Sequence, residues 1–403
     1  MSNGCRVRVT GPLAVYVDGF REELAAQGYT VQPRDRNLRT LAHVSRWMAS
    51  KGLSVGELTS SRLEEFLEAR RRDGYHHALS MRAVTPLTEY LHALGVAPRP
   101  EVVAVTGALE LVVEDYRRYL LNERALTPTV VGKYTRVARE FLASCEQAGG
   151  FEMSELSAAS VTDYVVRECH GRPAGSAKHL VTGLRSLLGF LFLAGHTSGE
   201  LTSAVPTVAH WGAGSLPRAL SPDAVAALGA SCDDKTLVGR RDRAILALLA
   251  RLGLRAGEVA VVELGDLDWR AGEIVVRNTK ARRHERLPLP VDVGELLVAY
   301  LHGGRPRVAC RKVFLRLNAP IAGLTAAAVT AVVYRACRRA GLPRAGAHRL
   351  RHSAATAMLA GGGTLAEVGQ VLRHVRAETT SIYAKVDRVA LRALAQPWPG
   401  GAE

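Results

Sequence analysis

The chain has 403 residues, 47% of them hydrophobic, and a formal net charge of +15. That length exceeds one compact core and implies two to four domains, and so positive a balance favours a polyanionic partner, most simply nucleic acid, over a basic surface kept for solubility. The six cysteines (Cys5, Cys145, Cys169, Cys232, Cys310, Cys337) include no C-x-x-C pair, which excludes a zinc ribbon or thioredoxin-like site and reads as reduced thiols. There is no charged segment followed by an apolar run at the N-terminus. Nor does any stretch approach the roughly eighteen apolar residues of a membrane span. A cytoplasmic protein without a membrane partner is expected.

In chain order, two similar helical modules come first. One runs from Phe20 through Trp47 to Gly95 and the other from Tyr116 through Phe141 to Gly195, with landmarks such as Leu58-Thr59-Ser60 and Leu156-Ser157-Ala158 in the same order. This is the pattern of a duplicated helical domain. Ser61-x-x-Glu64 reads as a capping box opening a helix, and Arg70-Arg71-Arg72 as a solvated helix end or a nucleic-acid contact. Linkers are expected at 96–106, with Pro98 and Pro100, and at 198–217. From Ser221 the pattern is mixed. Ser221-Pro222 supplies an N-cap and N1 proline, Arg243 to Leu252 a buried helix ending near Gly253, and Glu273–Val276 and Leu287–Leu289 short strands joined by a basic turn. Thr325 caps a helix ending at Gly341, and Arg349 to Leu359 is helical up to the Gly361-Gly362-Gly363 run. Thr364-x-x-Glu367 is a second capping box, and Thr379-Thr380 precede a short helix carrying Tyr383. The fold class expected is mainly α, with helical N-terminal domains at 1–97 and 107–198 and a mixed α+β domain with a small antiparallel sheet at 217–395.

The last of these holds a set of residues suited to phosphodiester chemistry. A phosphodiester resists attack because its oxygens are negative, and arginine answers with a planar, permanently charged fork. Arg255 and Arg351 are the candidate pair. His348 lies three residues before Arg351, on the same helix face, and His374 nine before Tyr383. A phenol with a reference pKa near 10 needs such a field, or a base, to attack, and His348 is placed to accept its proton. Lys280, in the basic turn, is the candidate general acid for the leaving oxygen. Arg282, Arg283 and Arg286 read as an electrostatic DNA clamp.

His348-x-Leu350-Arg351-His352 resembles the HxLRH motif of the tyrosine recombinase (phage integrase) family. Leu372-Arg373-His374 resembles its LGH, with Arg373 where the family has glycine, and Ile382-Tyr383 sits where its nucleophile sits. Leu254-Arg255-Ala256-Gly257-Glu258 resembles the first arginine box, and Lys280 falls at the hairpin lysine. The likeness covers about Ser221 to Val386, and 108–195 is similar to the family's helical core-binding (SAM-like) domain. It implies a site-specific recombinase that breaks and rejoins double-stranded DNA through a 3′-phosphotyrosyl intermediate, with no metal and no nucleotide cofactor. Four protomers would act on two DNA sites, with accessory recombinase or DNA-bending proteins as further partners, at the nucleoid. The segment Val386–Leu394 resembles one that docks on a neighbouring protomer. The extra N-terminal module points to integration, excision or transposition of a mobile element over resolution of replicon multimers. A type IB topoisomerase-like enzyme and a catalytically silent DNA-binding regulator are the alternatives.

Overall fold

A computed structural model describes residues 7–99, 107–146, 153–208, 219–278, 283–373 and 377–384. It is mostly helical with one small antiparallel sheet, as the composition and periodicity imply. The chain forms two compact units, 1–100 with 215–403, and 101–214. Among the described residues no helix is long and apolar enough to cross a membrane, and Cys145, Cys169, Cys232, Cys310 and Cys337 are free thiols.

Among the described residues, the N-terminal part of the first unit holds four α-helices, α1 (Val17–Ala26), α2 (Val31–Lys51), α3 (Ser60–Arg72) and α4 (Met81–Ala93). Their apolar stripes meet around Phe20, Leu24, Leu41, Met48, Phe66 and Leu91. Helix α3 starts two residues earlier than its sequence suggests. Thr59, in extended backbone, accepts the Arg62 N–H with its side chain, so Ser61 lies inside the first turn and is not the cap. Arg70 is buried, with its guanidinium over the Tyr75 ring at 4.1 Å, which takes it out of the exposed basic run; Arg71 and Arg72 remain at the surface.

The described residues of the second unit also hold four α-helices, α5 (Ala108–Asn122), α6 (Pro128–Glu146), α7 (Ala158–Cys169) and α8 (Ala174–Leu193). Its aromatic pairs repeat those of α1–α4 in kind and place. Phe20 and Tyr90 lie 5.3 Å apart at 40°, and Tyr116 and Phe190 lie 5.3 Å apart at 41°. Trp47 meets Phe66 edge-on at 5.8 Å, as Phe141 meets Tyr164 at 4.9 Å. Both α4 and α8 are followed by a glycine in left-handed backbone, Gly95 and Gly195.

From Pro222 the first unit continues with α9 (Pro222–Ala230), α10 (Leu237–Arg251) and α11 (Ala256–Val261), then strands β1 (Leu267–Asp268), β2 (Glu273–Asn278) and β3 (Arg283–Pro288). It ends with α12 (Val291–Gly303), α13 (Ala326–Arg339), α14 (Ala347–Ala360), α15 (Leu365–Val371) and α16 (Ala377–Ser381). Capping sets most boundaries: the side chains of Ser221, Thr236, Thr325 and Thr364 each accept a first-turn N–H. Thr236 starts α10 six residues ahead of the expected Arg243. The sheet order is β1-β2-β3. Ile274 and Val276 alternate inward to full burial while Glu273, Val275 and Arg277 face away. Edge strand β3 ends at Pro288, paired with Glu273, where a proline's missing N–H is tolerated. Leu289, expected in the strand, lies just beyond it. Helix α10, buried along Ala244, Ile245, Leu248 and Leu249, is the central post against which α9, α12, α13 and α14 pack.

Within this first unit the Ile321 N–H donates to the Gln27 carbonyl at 2.8 Å, joining the N-terminal helices to the loop before α13. The expected linker residues 100–106, the break at 209–217 and the tail at 386–394 lie outside the described residues.

Candidate active site

Three turns of chain converge beside the buried end of α10. After α10, Gly253 adopts φ +61°, and a Cβ there would meet the Leu372 side chain at 2.5 Å. Glycine is needed on both counts. Gly253→Ala is expected to lower stability by about 1–3 kcal/mol, read as a lower melting temperature. An unchanged melting temperature would show that this turn is not tightly held.

Two residues on, Arg255 caps α11. Its backbone N–H donates to Glu258 Oε2 at 2.8 Å, and its guanidinium donates to Oε1 at 2.7 Å. The Arg255 side chain is 42% exposed, so its fork remains open to a ligand. Glu258 is buried. Burial pushes its pKa up, but the Arg373 charge and the Arg255 N–H and guanidinium outweigh that and hold it below the usual carboxylate value.

Helix α14 faces this turn and presents His348, Arg351 and His352. Arg351 is 2% exposed. It donates to the Gly253 carbonyl at 2.5 Å and to the Leu372 carbonyl, so one guanidinium joins the turns after α10 and α15. Burial and the charges of Arg255 and Arg373 lower its pKa to about 10, which leaves it charged at neutral pH. His348, exposed to solvent at one edge, has its pKa lowered by partial burial and then by Arg351 and Arg255.

Tyr383 lies in the turn just after α16, its N–H donating to the Thr380 carbonyl at 2.9 Å. The sequence suggests instead a helix carrying the tyrosine. Helix α16 begins before Thr379-Thr380 and stops at Ser381, which frees Tyr383 from helical geometry. The ring packs among Ala355, Leu359, Val368 and Leu372. Burial raises the phenol's pKa, and Arg351 partly offsets this. Its hydroxyl is 2.8 Å from His352 Nδ1. His348, the expected proton acceptor, stands one turn back on α14, its ring 4.4 Å from that of His352. The i+4 spacing of the two histidines was the available signal for His352.

Burial, His348 and Arg351 depress the His352 pKa to about 4. Between about 6.5 and 4 the unfolded chain would therefore take up a proton that the folded chain refuses, and stability falls as pH falls through that window. Allowing for the ring's partial exposure, the loss is on the order of 1–2 kcal/mol. Melting temperature should decline less between pH 7 and 4 in His352→Gln than in the unaltered chain. Equal slopes would contradict the assignment.

Of the other expected residues, Arg286 lies on β3 and is paired with Glu273 at 3.1 Å. Lys280, Arg282 and His374 lie outside the described residues, as does the side chain of Arg283. Two residues that the chemistry does not single out from sequence, Glu258 and Arg373, are joined at 2.8 Å. The structure thus brings together Arg255, His348, Arg351 and Tyr383, and adds His352, Glu258 and Arg373.

The model of the phage integrase family matches residues 218–389. "Putative integrase/recombinase y4rA" of Sinorhizobium fredii (strain NBRC 101917 / NGR234) is 39% identical over 98% of this chain and 96% of its own length. The chain belongs to the phage integrase family. Members of this tyrosine recombinase family cleave and rejoin DNA, and DNA binding and recombination follow from membership. A further relative, the tyrosine recombinase XerD of Listeria monocytogenes serotype 4b (strain F2365), is 28% identical over 70% of this chain and 96% of its own. The fold is also that of a solved XerH site-specific recombinase bound to palindromic difH substrate, with a TM-score of 0.57 at 19% identity over 83% of this chain and 94% of that one.

Proposed function

We propose that the protein is a site-specific recombinase in which Tyr383 attacks a DNA phosphodiester, forming a 3′-phosphotyrosyl bond and releasing a 5′ hydroxyl. The observation that carries this reading is the tyrosine hydroxyl 2.8 Å from His352, on the helix that also presents Arg351 and His348. Arg255 and Arg351 supply the field that favours phenolate and stabilises charge on the phosphoryl oxygens. Neutral His352 can accept the phenolic proton, with His348 beside it. Lys280 donates a proton to the leaving 5′ oxygen, and His374 completes the set around the phosphate. Arg282, Arg283 and Arg286 grip the backbone near the hairpin. Reversal by another strand's 5′ hydroxyl rejoins DNA without an external energy source. Tyr383 is 1% exposed, so attack requires the turn after α16 to shift as DNA arrives.

In this reading 217–395 is the catalytic domain and 107–198 the core-binding domain. The segment 1–97 is a duplicate of the latter, supported by the repeated aromatic pairs. Four protomers act on two sites, with accessory recombinases or DNA-bending proteins as partners. The substrate is a mobile element undergoing integration, excision or transposition; a solved transposon Tn1549 integrase in complex with circular intermediate DNA shares the fold, with a TM-score of 0.53. The test uses nicked suicide duplexes tiled across the DNA flanking the gene. A covalent adduct resistant to denaturant is expected on at least one of them, and specific binding with no adduct would refute strand cleavage.

A further inference from the structure

Arg373 occupies the place where the resemblance puts a glycine, and it keeps the glycine's backbone. Its φ is +57°, in the left-handed region that disfavours an arginine. A residue held there against its preference calls for a compensating contact, and the side chain provides several. It is 1% exposed, so it cannot serve as a surface contact to DNA. Nη2 donates to Glu258 Oε2 at 2.8 Å and Nη1 to the Val371 carbonyl at 2.9 Å. Nε is buried without a hydrogen-bond partner among the described residues, with a Glu285 oxygen of β3 at 4.0 Å.

The Glu258 carboxylate is therefore shared. One oxygen takes the Arg255 guanidinium, and the other takes the Arg255 backbone N–H and Arg373. Arg255 and Glu258 alone would form a neutral pair, leaving little field for a phosphate. A second guanidinium on the same carboxylate leaves the group net positive, and by holding Oε2 it fixes the plane of the carboxylate whose Oε1 aims the Arg255 guanidinium. The same side chain anchors the turn whose Leu372 carbonyl receives Arg351, so both phosphate-binding arginines rest on it.

We infer that Arg373 is a positioning residue for strand cleavage, acting through Glu258 to orient and leave uncancelled the charge of Arg255. This deepens the proposed function and rests on it. The test compares the unaltered chain with Arg373→Gly and Arg373→Lys. It measures the single-turnover cleavage rate on the suicide duplexes at saturating protein, DNA Kd, and melting temperature. Glycine is at home in this backbone, so Arg373→Gly should fold. Its saturating cleavage rate should fall by about 10- to 100-fold while Kd changes less than about threefold. Arg373→Lys, which restores the charge with a single point contact, should recover part of the rate. In a Glu258→Gln background, Arg373→Gly should cost little more, because both act on one linkage.

Cleavage by Arg373→Gly at the unaltered rate overturns the inference alone. So does a loss of rate that only tracks Kd and melting temperature and is not rescued by lysine. No adduct with the unaltered chain on any duplex overturns the proposed function, and the inference with it.

Discussion

Tyr383→Phe is expected to bind DNA with near-normal affinity and to form no covalent adduct, a loss on the order of 10⁴-fold or more in cleavage. The substitution removes one oxygen from a ring packed among Ala355, Leu359, Val368 and Leu372 and leaves the ring's volume in place. His352 loses its 2.8 Å partner, but the imidazole is partly solvated, so the stability cost is about 1 kcal/mol or less. Folding and binding are thus separated from chemistry. A gel-shift titration beside a denaturing gel checks both halves. Persistence of the adduct in the phenylalanine variant would remove Tyr383 from the mechanism.

The second large effect is expected at Arg351. Arg351→Ala should slow single-turnover cleavage by about 10²- to 10³-fold, the usual consequence of removing one preorganised charge from a transition state. It should also lower stability by about 1–3 kcal/mol, because the Gly253 and Leu372 carbonyls lose a buried donor. The two losses can be told apart. Arg351→Lys keeps a charge and a donor but lacks the fork, and should regain more stability than rate. Near-normal cleavage by the alanine variant, at a temperature where it is folded, would contradict the role given to this residue.

Much of the site was legible because its parts are local. His348 and Arg351 share a helix face by spacing alone, and Thr364 with Glu367 announces the start of α15, as the reciprocal cap bears out. Ser221-Pro222 and Thr325 mark helix starts for the same reason. What stayed hidden depends on contacts across the chain. Glu258 and Arg373 are 115 residues apart, and no periodicity reports that they meet. In sequence, Arg373 reads as positive charge added beside the site where the family has glycine, yet its guanidinium is among the most buried charges of the described residues. Arg255-x-x-Glu258 did hold a usable signal, since a carboxylate at the third position of a helix reaches back to the cap N–H. Helix α16 misled because Thr379 and Thr380 resemble N-caps. The helix starts before them, and the turn after Ser381 is set by where the Tyr383 ring finds its apolar cleft. The paired aromatics of α1–α4 and α5–α8 were legible only as an order of landmarks, and their matching ring geometry gives that order a physical basis.

In the proposed mechanism one phenolic oxygen, held in the turn after α16 beside Arg351, captures the phosphorus. Trapping the unaltered chain on a nicked duplex, digesting the adduct and sequencing the linked peptide by mass spectrometry tests this most directly. A nucleotide joined through its 3′ phosphate to Tyr383 is expected. Attachment to any other residue, or through a 5′ phosphate, would contradict this mechanism.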